Sequence, residues 1–232
     1  MQAYTAANSL RLPTAAAIVL KGPAATPRAS DAMATKPAGV ARVLEKGEEL
    51  FAEGDVADFF YKVVSGAVRT YKLLNDGRRQ IDEFHLAGDI FGLETGAEHR
   101  FSADAVDVAA VVAFRRRSFE ALAHDDPALA DQVMSSMMRS LERAHDHMML
   151  LGRKTAQEKV ATFLLDMARR VSNGDRFELP MQRSDIADHL GLTIETVSRT
   201  LTQLVRDGVI KLAAASRSVV LSDKAALRRL NA

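Results

Sequence analysis

The rhythm of apolar residues changes once along this chain, near residue 120, and that change limits the fold more than any other feature. From Val40 to about Arg117 the apolar runs are short and broken by Gly47, Gly54, Gly66, Gly77, Gly88, Gly92 and Gly96. Such pieces read as strands joined by turns. Asp76-Gly77 lies between two strand-like runs and predicts a tight hairpin, because glycine adopts positive φ without steric cost. Val106, Val108, Ala110, Val112 and Phe114 alternate with smaller or polar residues, the period of a half-buried strand. Many short strands at regular turn spacing suggest a small barrel or jelly roll.

From Pro127 the period becomes helical. Asp125-Asp126-Pro127 is a good helix start, with carboxylates near the positive end and proline in the first turn. Met134, Met137, Leu141, Ala144, Met148 and Leu151 then recur at spacings of three and four. This stripe fits either a helix packed on its own domain or the seam of a coiled coil between two copies. The seam is the favoured reading, and its methionines would make it adaptable. Thr155 precedes a further helix with a stripe of Val160, Phe163, Leu164, Met167 and Val171 and an Asn173-Gly174 stop. Phe177 to Leu179 is at most a short strand.

Ser184-Asp185 then opens a short helix that ends at Gly191, and LTIETVSRTLTQLVRDG forms a second one. After Gly208, VIKLAAASRSVVLSD looks like two strands around a small-residue tip, and DKAALRRL like a last helix. Two short helices joined at a glycine and followed by a ribbon make a winged helix-turn-helix, which pushes the start of its second helix into the major groove of DNA. The residue types fit that task. Arg199 carries the planar fork that matches guanine O6 and N7, and Glu195 can accept from a cytosine amino group. Thr193, Thr196 and Ser198 are short donors for phosphates or base edges. Val197, Leu201, Leu204 and Val205 form the apolar face expected to pack inward. An ordinary capped surface helix explains Thr193 but not the accompanying helix, turn and ribbon.

The string IETVSRTL, preceded by RSDIADHLGLT, closely resembles the recognition motif of the CRP/FNR family of transcription factors, and its E-T-V-S-R core resembles the FNR and FixK branch. AEGD, VVSGAVR and AGDIFG are similar to turn motifs of that family's β-roll. The resemblance covers roughly residues 40–232. It implies an α+β chain with four parts: a flexible tail (1–39), a jelly roll like a cyclic-nucleotide-binding domain (40–124), a dimerisation helix (125–152) and a winged helix-turn-helix (153–232). It also implies that Glu195, Ser198 and Arg199 read bases, with Ile194 placed to touch a thymine methyl. Arg183, Ser184, Thr193 and Thr196 match phosphate-contacting positions, with Lys211 and Arg217 as further candidates. The implied partners are a second copy of the chain, an inverted-repeat DNA operator with TTGA-like half-sites, and RNA polymerase. Activation of low-oxygen or nitrogen-metabolism genes in the cytoplasm would follow from the same resemblance.

What such a roll would sense is limited by missing residues. Nucleotide-binding members have a glutamate after the glycine of a G-E-L motif and a later Arg-Ser pair; here Gly92 is followed by Leu93, and the pair reads Phe101-Ser102. Arg100 is adjacent, but strand neighbours face opposite sides. A phosphate set against leucine and phenylalanine would be desolvated without a partner. There are no cysteines, so cysteine-ligated iron–sulfur clusters and disulfides are excluded within the chain. His85, His99, His124, His145, His147 and His189 show no convincing ligand spacing. The expectation is therefore a regulator with no metal, no cofactor and no small-molecule trigger; the alternative is an effector-gated member answering to a cyclic nucleotide or haem.

Other classes find little support. The formal charge of +1 neither demands nor excludes a polyanion partner, since a local basic patch would suffice. No apolar run approaches the roughly 18 residues of a membrane span. Residues 1–39 contain AAAIVL, shorter than a secretory h-region and followed at once by lysine, so they read as a disordered or loosely docked tail. There is no phosphate-binding P-loop and no nucleophile elbow, so an enzyme is not expected.

Overall fold

The computed structural model describes residues 39–118, 127–171, 174–213 and 217–230. The readings of the tail, of Asp125-Asp126, of Asn173, of His124 and of the ribbon tip (214–216) lie outside the described residues. Eight strands come first: β1 Val40–Leu44, β2 Glu49–Phe51, β3 Phe59–Ser65, β4 Ala67–Leu73, β5 Arg79–Leu86, β6 Ile90–Phe91, β7 Ser102–Ala105 and β8 Ala109–Arg115. They form two four-stranded sheets, β1-β8-β3-β6 and β2-β7-β4-β5, paired antiparallel throughout. The expected hairpin joins β4 to β5. Leu73 faces Arg79, Gly77 sits at φ 84°, and its N–H donates to the Leu74 carbonyl at 2.9 Å.

One expectation about β8 needs correcting. Its buried row is Ala109, Val111 and Ala113, whereas Ala110, Val112 and Phe114 are only half-buried and Val108 is exposed. The period of two is right and the phase is opposite. The inner face takes Ala109, Val111 and Ala113, and Phe114 instead stacks on Phe60 at 5.2 Å.

The interior of the roll is filled by rings. Phe51 stacks on His99 (3.6 Å) and Tyr61 (5.5 Å), and Phe91 stacks on His85 (4.4 Å) and Tyr61 (5.6 Å). Leu93 packs against the cluster of Phe60, Ile90 and Val133. Phe101 lies under the cations of Lys72 and Arg100, at 5.5 and 5.9 Å. Both positions that carry charge in nucleotide-binding members are thus used here for apolar or ring contacts.

Helix α1, Pro127–Arg153, has two faces. Val133, Ser136 and Leu150 are buried in the chain's own fold, with Ser140, Arg143 and His147 half-buried between them. Met134, Met137, Leu141, Ala144, Met148 and Leu151 lie exposed on other sides of the helix. The stripe is therefore not the face that packs on its own domain. Met138 and Met149 are also exposed and widen the row.

The remainder is helical around a small sheet: α2 Ala156–Val171, β9 Arg176–Glu178, α3 Arg183–Leu190, α4 Ile194–Arg206, β10 Ile210–Leu212, β11 Ser218–Leu221 and α5 Lys224–Leu230. Thr155 and Glu158 cap α2 reciprocally: the Thr155 N–H donates to the Glu158 carboxylate at 2.6 Å and the Glu158 N–H to Thr155 Oγ1 at 3.4 Å. Val160, Phe163, Leu164 and Met167 are buried as expected, but Val171 is exposed at the helix end. The expected two-stranded ribbon is a three-stranded sheet, β10-β11-β9, because Phe177 pairs with Val219 and both are buried. Among the described residues, no helix is long and apolar enough to cross a membrane.

Candidate nucleic-acid interface

The interface is built on α3 and α4. The first of these begins one residue earlier than Ser184 suggests: Gln182 is its N-cap, and Asp185 sits in the first turn, accepting the Gln182 N–H at 3.1 Å. Gly191 ends the helix at φ 61°, a conformation a side chain disfavours, and its N–H reaches the Ala187 carbonyl. The chain turns there, and Thr193 caps α4. Its Oγ1 accepts the Thr196 N–H at 3.1 Å and lies 2.9 Å from the Thr196 Oγ1.

Burial then sets which way α4 faces. Val197, Leu201 and Leu204 are buried, and replacing Leu204 by alanine is expected to cost about 2–5 kcal/mol. Val205, expected inward, is 39% exposed, because it lies off that row in the last turn. The opposite side stands in solvent. Ile194 is 54% exposed, and the side chains of Glu195 and Arg199 are 77% and 72% exposed. Arg199 Nη1 lies 3.8 Å from Glu195 Oε1, one helical turn away. So loose and exposed a pair adds little stability but holds the guanidinium outward. Arg183 donates to Ser198 Oγ at 3.4 Å, which ties the two helices across the turn.

The structure thus brings Arg183, Thr193, Ile194, Glu195, Thr196, Ser198 and Arg199 onto one end of the helix pair. Ser184 is half-buried beside them, and Lys211 is exposed on β10. Arg217 is engaged elsewhere. Its guanidinium donates to Asp107 of the roll at 2.6 Å and to the Pro180 carbonyl. That ion pair holds the Asp107 carboxyl below the usual carboxylate range. Nothing in the local sequence announces this pairing, because its partners are 110 positions apart.

The histidines also meet partners that spacing did not reveal. His147 of α1 stacks on His189 of α3, with centroids 4.1 Å apart, and His147 Nε2 donates to the His189 carbonyl at 2.8 Å. His189 Nδ1 donates to the Ile81 carbonyl of β5 at 3.2 Å. Among the described residues, no group of three or more His, Asp or Glu side chains is placed to hold a metal ion. Burial, helped by the charge of His147, lowers the His189 pKa from 6.5 to about 3. An unfolded chain would take up a proton below pH 6.5 that the native chain refuses, so this contribution to stability is full above 6.5 and is lost as pH drops toward 3. His85 and His99, lowered by burial, act in the same direction. Urea unfolding between pH 7 and 5 should therefore show His189 alone contributing a slope of up to about 1.4 kcal/mol per pH unit below 6.5. The slope should shrink in His189→Asn.

An antiparallel eight-stranded roll, a long helix with a solvent-facing apolar row, and a helix-turn-helix with a small sheet define a DNA-binding transcription regulator. Residues 41–126 match the cyclic nucleotide-binding domain model and residues 158–230 the Crp-like helix-turn-helix domain model. The chain is 49% identical over 216 residues to the nitrogen fixation regulation protein FixK of Azorhizobium caulinodans, covering 91% of this chain and 87% of that one. It is 47% identical over 170 residues to the protein of the same name from Bradyrhizobium diazoefficiens, covering 72% of each. The solved structure of FixK2 from Bradyrhizobium japonicum superposes with a TM-score of 0.77 at 47% identity, over 84% of this chain and 98% of that one. The chain belongs to the CRP/FNR family, in its FNR/FixK branch.

Proposed function

We propose that this chain binds as a homodimer to an inverted repeat with TTGA-like half-sites, reading bases through Ile194, Glu195, Ser198 and Arg199. The observation that carries this reading is the solvated start of α4, where an arginine and a glutamate stand one turn apart above a wholly buried Val197. Arg183, Ser184, Thr193, Thr196 and Lys211 flank it as phosphate contacts, with Arg217, whose guanidinium also pairs with Asp107, as a further candidate. The exposed row from Met134 to Leu151 supplies the seam that pairs two such heads, since one two-fold axis must serve both protein and operator. Four parts follow: a tail (1–39), a roll (40–124), a pairing helix (125–152) and a winged domain (153–232).

The dimer activates transcription through RNA polymerase in the cytoplasm, where its operator lies. Relatives named as activators support that direction, among them AadR of Rhodopseudomonas palustris and FnrL of Cereibacter sphaeroides. The names of the FixK relatives support target genes in nitrogen fixation. Binding needs no small-molecule trigger, because the roll is filled by its own rings and Leu93 and Phe101 take the place of charged ligand contacts. Protein freed of metal and nucleotide should bind the inverted repeat at full affinity. A rise of about ten-fold or more on adding a cyclic nucleotide or haem, roughly 1.4 kcal/mol, would overturn this part.

A further inference from the structure

The winged domain is tied to the roll at several separated places, among them Arg170 of α2, which pairs with Asp89 of the roll at 2.8 Å, and the ties are mostly charged. At the first turn of α3, the buried Asp185 accepts from Arg69 of β4 at 2.5 Å and from Arg79 of β5 at 2.7 Å. Arg69 also pairs with the buried Asp104 of β7 at 2.6 Å, and Arg79 with Asp188 of α3 at 2.8 Å. A chain of five charges, Asp104–Arg69–Asp185–Arg79–Asp188, thus crosses the joint. At the last turn of the same helix, Gln80 Nε2 donates to the His189 carbonyl at 3.2 Å. At the sheet of the winged domain, Arg217 meets Asp107.

Apolar contact also crosses the joint, as where Phe84 meets Phe163 edge-on at 6.3 Å, but a single such contact carries no direction. A cavity of about 690 Å³ opens between β5, α1, α2 and the end of α3, so the joint is not packed solid. Directional bonds then add to what the shared apolar cluster of Ile81, Phe84, Phe163 and Leu190 fixes about orientation. Arginine suits this task, since its planar fork engages two carboxylates at fixed angles. Because α4 is joined to α3 through Gly191 and the Arg183–Ser198 bond, whatever fixes α3 also aims the reading face.

We propose that Arg69, Arg79, Asp185 and Asp188 are positioning residues that aim the recognition helix from the roll, presetting the distance between the two reading heads of a dimer without a ligand. The proposal rests on the DNA-reading role given above. Partly buried charge pairs of this kind are costly to half-remove, so breaking one should shift the domain rather than leave it docked.

The test compares wild type with Arg79→Gln and with Asp188→Asn, whose partly exposed side chain makes it the gentler change. Binding is measured on an inverted repeat with its preferred spacer, on the same repeat with one base pair added or removed, and on a scrambled duplex. For Arg79→Gln, affinity for the preferred spacing should fall by about ten-fold and the preference over altered spacers should shrink. Scrambled DNA should bind as before, because α4 itself is intact. Asp188→Asn should move the same way by less. Wild-type affinity and spacing preference in both variants would overturn the proposal. So would a lowered thermal midpoint with the spacing preference unchanged, which marks a merely structural tie. A wild-type protein indifferent between the repeat and the scrambled duplex would instead bring down the DNA-reading role itself.

Discussion

Changing Leu141 to lysine, alone or with Met134, is expected to yield monomers that lose operator binding by about 100-fold or more, because one head alone forgoes the second half-site. Both side chains are exposed within the chain, so the fold should survive, and thermal unfolding checks that. In a two-fold seam a residue meets its counterpart or a near neighbour, so one substitution brings two ammonium groups into an apolar contact. Sedimentation equilibrium reads the first consequence and fluorescence anisotropy on the inverted repeat the second. Lysine at the exposed Arg139, off the Met134–Leu151 stripe, serves as the control and should change neither. A Leu141→Lys protein that stays dimeric and binds fully would remove the seam from this helix.

Arg199→Ala is expected to abolish discrimination at one base pair in each half-site, by about 1–3 kcal/mol per half-site. Affinity for scrambled duplexes should hardly change, since that affinity is carried by phosphate contacts. Lys211→Ala should do the reverse. It should weaken all duplexes alike and lower the salt dependence by about one counterion per protomer. The contrast between these variants separates base reading from phosphate anchoring. Competition titrations against duplexes altered at single positions, repeated at two salt concentrations, measure both.

The helix-turn-helix was legible in the sequence because its signals are local. Thr193 caps the helix that it precedes, Gly191 turns where a glycine must, and Val197, Leu201 and Leu204 are spaced for one buried face. Errors gather where local rules lose force. Val171 and Val205 continue an apolar pattern into a last turn that nothing covers. In β8 alternation gives a period but not a side, and the folded roll turns Ala109, Val111 and Ala113 to its interior. Asp185 looked like a helix-start residue, which it is, yet its larger part is to join Arg69 and Arg79 from more than 100 positions away. Arg217 was read as a candidate phosphate contact, and only the folded chain brings Asp107 to it. Charges that meet across domains leave no trace in spacing.

Selection of preferred duplexes from a random pool by the purified, ligand-free protein tests the central claim most directly. The recovered sequences should share two TTGA-like halves in inverted order, with centres about one helical turn, roughly 34–36 Å, apart. Sequences that carry a single half-site, direct repeats or no shared motif would contradict a pair of α4 helices reading one symmetric site.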